Sequence, residues 1–161
     1  MNKSRLPAVQ RDALGLLLDD HRRLRKLFRD FERETGARAR DDVVREACAQ
    51  LKAHARLQEA LFYPVLRDMA PEALGRRLDE AQVEYATAKD LVAQLEDVWP
   101  EDALRDARFS VLGAYFAHHA AREEEELFPA IVALGLDLRS LGMQMALLRE
   151  ELAEAFQAPA A

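Results

Sequence analysis

His119 and Glu123 stand four residues apart in the stretch HAAREEEELFP (119–129). On a helix this spacing sets both side chains on one face, about 40° apart and roughly 6 Å along the axis. An imidazole and a carboxylate side by side form half of a metal site. The other half is offered upstream by HARLQEALFYP (54–64), where His54 and Gln58 keep the same spacing. Both stretches place a proline ten residues after the histidine and Leu-Phe close before it. This internal echo organises the reading of the whole chain.

The elements that must position these groups follow from apolar periodicity. A first helix is expected from about Asp12 to Glu34 on the stripe Leu14, Leu17, His21, Leu24, Phe28, Phe31, with Gly36 as a left-handed cap and residues 1–10 as a loose arm. A second, capped by Asp41 or Asp42, runs to about Met69 through Val44, Ala47, Leu51, His54, Gln58, Leu61 and Val65, and Pro64 is expected to kink it. Pro71 opens a third helix ending near Trp99-Pro100, on Leu74, Leu78, Ala81, Tyr85, Ala88, Val92 and Leu95. The fourth spans about Asp102 to Leu134 through Phe109, Leu112, Phe116, His119, Glu123 and Leu127, and Gly135 ends it. A final amphipathic helix, about 137–157, carries Leu138, Leu141, Met145, Leu148, Leu152 and Phe156, a face that either closes the bundle's side or forms a dimer seam. Four long helices on short connections predict an all-α, up-down-up-down four-helix bundle with an additional C-terminal helix, read as a single domain over 1–161 with the bundle at about 12–134.

Each of the four bundle helices carries one or two polar residues midway along an apolar stripe. Burying them unpartnered would cost several kcal/mol in sum, so they must satisfy one another, hold water or hold a metal. A lone histidine on such a stripe is ordinarily a satisfied core residue. Here three of the four histidines fall on inward stripes of three different helices, and two are followed one turn later by a carboxylate or an amide. That concentration points to metal binding. His118 faces about 100° away from His119 and reads as a surface or supporting residue, and of the run Glu123–Glu126 only Glu123 falls on the stripe.

The first-helix context DDHRRLRKLF, followed by the two stretches ending in FYP and LFP, resembles the hemerythrin-like family of HHE cation-binding domains over residues 12–134. The resemblance implies a four-helix bundle with a non-haem di-iron centre, and roles in dioxygen binding, iron or oxygen sensing, or handling of peroxide or nitric oxide. His21 matches the first-helix ligand, His54 the second-helix histidine, and His119 with Glu123 the fourth-helix pair. Position 58, where the family has a bridging glutamate, is Gln58, and the third-helix histidine is replaced by Tyr85. A neutral amide is a weaker donor than a bridging carboxylate, and a phenol ligates only when ionised. Glu59, five residues after His54, and Glu84, beside Tyr85, are carboxylates that could turn inward to make up the deficit. The expectation is therefore iron in an altered site, di-iron with Tyr85 as phenolate ligand or hydrogen-bond donor, or one metal position. Zinc on three histidines and a glutamate, or a metal-free bundle serving as an interaction module, are the alternatives.

Composition narrows the remaining classes. The net charge of −6 over 161 residues gives no basic surface for nucleic acid. No apolar run approaches the ~20 residues of a membrane span, and no signal peptide is read at the N-terminus. The lone Cys48 cannot form an intramolecular disulfide and reads as a small buried hydrophobe, which suits a cytoplasmic protein, monomeric or homodimeric. No phosphate loop, nucleophile elbow or CxxC pair is present, so whether the chain is an enzyme stays open.

Overall fold

A computed structural model describes residues 1–97 and 102–157, the last three by backbone alone. The expected ends at Trp99-Pro100 and the side chain of Phe156 lie outside the described residues. Helices α1 (Ala8–Arg33), α2 (Ala37–Leu57), α3 (Tyr63–Met69), α4 (Pro71–Asp97), α5 (Arg105–Arg122), α6 (Phe128–Leu134) and α7 (Arg139–Gln157) follow in order. Two π-helical turns, Gln58–Phe62 and Glu123–Leu127, join α2 to α3 and α5 to α6 into continuous rods. With α1 and α4 these rods make the expected four-helix bundle, and α7 packs as a fifth helix against α1 and α2. There is no strand among the described residues.

Several helix ends differ from expectation, and in each case a local interaction accounts for the difference. The first ten residues are not a loose arm. Asn2 caps a 3-10 turn at Lys3–Arg5, Leu6 is buried, and Pro7 leads directly into α1. Gly36 has φ −79°, an ordinary extended value, so the only left-handed residue among those described is Gly135 at φ 65°. α2 starts at Ala37, ahead of Asp41 and Asp42, because Asp41 is drawn instead into ion pairs with Arg45 and Arg105. Asp102 and Asp137 lie just outside their helices and accept from the backbone N–H of Leu104 and Arg139.

Both π turns end two residues before a proline. The N–H of Tyr63 donates to Gln58 O and that of Phe128 to Glu123 O, one residue further back than in an α-helix. The next residues are Pro64 and Pro129, whose rings would press on a carbonyl four residues back in a regular helix. A turn widened by one residue relieves that clash, and π turns of this kind recur at functional sites.

The core is divided in two. One apolar cluster gathers Leu14, Leu17 and Leu18 of α1 with Phe62, Leu66, Leu74, Leu78, Phe128 and Ile131, and α7 adds Leu138, Leu141 and Met145. The other gathers Leu24, Leu27 and Phe31 with Val44, Leu51, Val92, Leu95, Phe109, Leu112 and Phe116, and contains the buried Cys48. Burial raises the Cys48 thiol to about 11, so it is an inert core residue at neutral pH. Between the clusters, at the level of His21, His54, Tyr85 and His119, lies a layer of buried polar side chains.

Candidate metal centre

Glu123, on the second π turn, is the centre of that layer and is 2% exposed. Its oxygens accept from Gln58 Nε2 at 2.8 and 3.0 Å, from the Tyr63 hydroxyl at 3.1 Å and from His21 Nε2 at 3.1 Å. His119 Nε2 lies 3.5 Å from Glu123 Oε2. Tyr63 also donates to Gln58 Oε1 at 2.8 Å, which fixes the amide with its nitrogen toward Glu123. Burial alone would raise the Glu123 carboxyl, but the adjoining His119 and His21 outweigh it and hold the group well below the usual carboxylate range.

Each of the three inward histidines is held at Nδ1 by a carboxylate. His21 donates to Glu124 at 2.9 Å, His54 to Asp20 at 3.1 Å and His119 to Glu84 at 2.9 Å. Each carboxylate in turn meets an arginine: Arg25 on Glu124 at 2.7 Å, Arg122 on Glu84 at 2.8 Å, and Arg149 on Asp20. A carboxylate on Nδ1 sets the ring's orientation and makes Nε2 the free donor, the arrangement that supports metal-bound histidine. The three Nε2 atoms accordingly face the centre. Those of His54 and His119 are buried with no hydrogen-bond partner, as is the Tyr85 hydroxyl. Donor atoms of His21, His54 and Glu123 all lie within 4.8 Å of one another. The residues therefore fit a cation: the buried His54 Nε2 lone pair, with no proton to accept, is otherwise costly.

Charge balance fits as well. The three outer carboxylates are offset by their three arginines, which leaves Glu123 as the one uncompensated anion of the layer. Burial depresses His119, yet Glu123 and Glu84 outweigh it and bring it up to about 9. His21 is likewise depressed by burial and then raised above its ordinary value by Glu123 and Glu124. His54 goes the other way, because burial dominates and the neighbouring His21 adds to it. Binding of a metal ion at the Nε2 atoms of the His21 and His119 rings would displace protons from them, so metal affinity should rise with pH.

Of the residues singled out from sequence, the structure brings together His21, His54, Gln58, Tyr85, His119 and Glu123. Glu84 turns inward, onto His119 Nδ1. Glu59 does not join them; it pairs with Lys89 at 2.6 Å at the edge of the bundle. His118 is exposed, 3.6 Å from Glu84. Tyr85 packs against the His119 ring at 4.5 Å, and burial, with Glu123 and Asp20 next in weight, pushes its phenol well above its ordinary value. A space of about 10 Å³ adjoins it, walled by Leu51, Ala88, Tyr115, Phe116 and His119. That is about the volume one water requires.

Six supporting residues escaped the sequence reading: Asp20, Arg25, Tyr63, Arg122, Glu124 and Arg149. Asp20 directly precedes His21, and Tyr63 is the one aromatic hydroxyl within the echo, at the position where the second stretch has Phe128. Glu124 was placed on a solvated face, but its side chain is 12% exposed and engaged by His21 and Arg25. Glu124 lies in the π turn and reaches His21 and Arg25 of α1, contacts that the stripe pattern of its own helix does not reveal. Arg149 carried no signal of its own.

A sequence model described as the hemerythrin HHE cation binding domain matches residues 12–131. No curated protein and no solved structure matches the chain significantly.

Proposed function

Because the chain belongs to the hemerythrin HHE cation-binding domain family, we propose that it holds a single non-haem iron ion and uses it to bind a small oxygen or nitrogen species such as dioxygen, peroxide or nitric oxide. The observation that carries this reading is the convergence of three carboxylate-oriented imidazoles on Glu123, two of them with buried Nε2 atoms that have no hydrogen-bond partner. His21, His54 and Glu123 would hold the ion, with His119 as the further nitrogen donor. Iron, when bound, supplies reversible ligand binding and one-electron redox chemistry.

One metal rather than two is favoured by charge. Only Glu123 brings an uncompensated negative charge to the layer, and Gln58 donates its N–H to Glu123 where a second carboxylate would be needed. Two dications against one carboxylate would leave a large buried positive charge. The chain's own residues then shape the ligand space. With no ion bound, burial and nearby carboxylates oppose ionisation of Tyr85, and its hydroxyl, buried without a partner, would donate a hydrogen bond to a bound species. Leu51, Ala88 and Phe116 line the adjoining space and limit it to something of water or diatomic size.

A second reading has one observation in its favour: Gln58, Tyr63 and His21 already satisfy Glu123 without any ion. In that case the bundle is metal-free and serves as an interaction module. Metal analysis after purification without chelator, and again after anaerobic ferrous loading, separates the two. One iron per chain, lost in Glu123→Ala, is the expected result. Two irons would overturn the single position. No uptake in either condition would leave the metal-free reading standing. A visible charge-transfer band that disappears in Tyr85→Phe would overturn the donor role given to Tyr85.

A further inference from the structure

We propose that Arg149, on the fifth helix and beyond the residues matched by the family, is a positioning residue for the metal centre: it fixes Asp20, and Asp20 fixes His54. The inference rests on the metal-binding reading for its consequence, but its geometry stands without it. Asp20 is 5% exposed and divides its two oxygens. Oδ2 accepts from His54 Nδ1 at 3.1 Å, and Oδ1 meets the Arg149 guanidinium. A buried carboxylate facing only an imidazole would be a poorly compensated charge, so the arginine is what makes the pair stable in place. The same three-part build recurs at His21 and His119, where Arg25 and Arg122 come from the bundle itself. Only His54 borrows its arginine from α7.

The packing of α7 sets the height of Arg149. Leu138 N–H donates to Val9 O at 2.9 Å, and Gly142 sits where a Cβ would come within 2.9 Å of Asp12 Cβ and 3.0 Å of the Ala13 backbone nitrogen. From 138 against 9, through 142 against 12–13, to 149 against 20, the two helices advance together, so α7 runs parallel to α1 in fixed register. Gly142 and Arg149 are seven residues apart and share a face. Close approach at the glycine thus delivers the guanidinium to Asp20 two turns later. Leu138, Leu141 and Met145, all buried, hold this register.

Removal of the arginine gives Asp20 somewhere else to go. A groove of about 420 Å³ between α1, α2 and α7 is lined by Asp20, Arg23, Gln50, Ala53, His54 and Arg149. With Arg149 absent, Asp20 can rotate toward water in this groove and release His54 Nδ1. The ring then loses the constraint that keeps Nε2 as the bare donor. Loss of such an outer partner ordinarily costs about 10–100-fold in metal affinity.

The test uses the full chain with three variants: Arg149→Ala, Arg149→Lys and, as a control in the same groove, Arg23→Ala. Long-range nitrogen–proton NMR of the metal-free protein reads the His54 tautomer, and chelator competition after ferrous loading reads metal release. The expected result is a mixed His54 tautomer and release faster by about tenfold or more in Arg149→Ala, substantial recovery in Arg149→Lys, and neither change in Arg23→Ala. An unchanged tautomer in Arg149→Ala overturns the proposal. If no variant or wild-type chain takes up metal, the metal reading fails, while the tautomer measurement still decides whether Arg149 positions His54.

Discussion

The stretches 54–64 and 119–129 are built alike and charged differently. Each offers a histidine whose Nδ1 is held by a carboxylate from another helix, a π turn beginning four residues later, and a proline just beyond it. Their fourth positions part company: Gln58 is a neutral donor, and Glu123 is the anion to which it donates. Their ninth positions differ too, Tyr63 against Phe128, and the hydroxyl is what pins the glutamine. The two histidines also have opposite proton affinities: burial and the neighbouring His21 lower His54, whereas Glu123 and Glu84 outweigh burial and raise His119 to about 9. Shared backbone geometry sets where donors sit. The side chain at one position decides how much positive charge they can hold.

The strongest way to break this difference is Gln58→Glu, which would make the two stretches electrostatically equivalent. Two buried carboxylates would then face each other without the amide donor between them. The metal-free protein should lose roughly 3–5 kcal/mol, as other uncompensated buried charges do. Iron uptake should rise from one to two per chain, with stability recovered on loading. Thermal melting with and without ferrous ion, beside metal analysis, checks both. Unchanged stoichiometry would show that Gln58 is not what limits the centre to one ion.

Proton linkage sharpens the comparison at the next level. His119 is raised when folded, so its contribution is complete below about pH 6.5 and is lost as pH rises through about 9. His54 is lowered when folded, so its neutral form favours folding above about pH 6.5 and works against it as pH falls below that value. Metal-free protein should therefore lose stability between pH 7 and 10, with His119 contributing on the order of 2 kcal/mol and His21, also raised, adding to the loss; His119→Gln should remove the His119 share of that slope. Denaturant titrations at fixed pH steps measure it. A slope untouched by the substitution would assign the effect to other groups.

The smallest expected effect comes from Tyr63→Phe, which copies the ninth residue of the second stretch into the first. It removes one hydroxyl that donates to Gln58 and Glu123, and should cost about 1–2 kcal/mol for a buried acceptor left short of a partner. Iron stoichiometry should stay at one. A second iron in this variant would mean that the pinned amide, rather than its lack of charge, excludes the additional ion.

Much of this centre is legible in the sequence because its inner groups obey helical periodicity. His21, His54, Gln58, Tyr85, His119 and Glu123 each interrupt an apolar stripe, and a stripe that must be buried predicts where its polar members point. The outer groups obey no such rule. Asp20 lies one residue off the stripe, Arg149 reaches the layer from a helix that reads as plain apolar packing, and Glu124, one residue off its own stripe, is held by partners on α1. Which carboxylate meets which ring depends on the relative height of two helices, and a single sequence contains no measure of that height. Helix starts failed for a related reason: Asp41 is a suitable cap by type, but Arg105, distant in sequence, claims it.

The division of the core into two apolar clusters has a mechanical consequence. Each cluster coheres through burial, which is indifferent to direction, whereas the layer between them is joined by directional bonds that resist sliding. Shear between the two ends of the bundle is therefore opposed chiefly at the level of the histidines, where α7 adds a brace through Arg149. A cation drawn into that layer would act as a rivet through the bundle's waist, and the stiffness of the whole rod would depend on whether it is there.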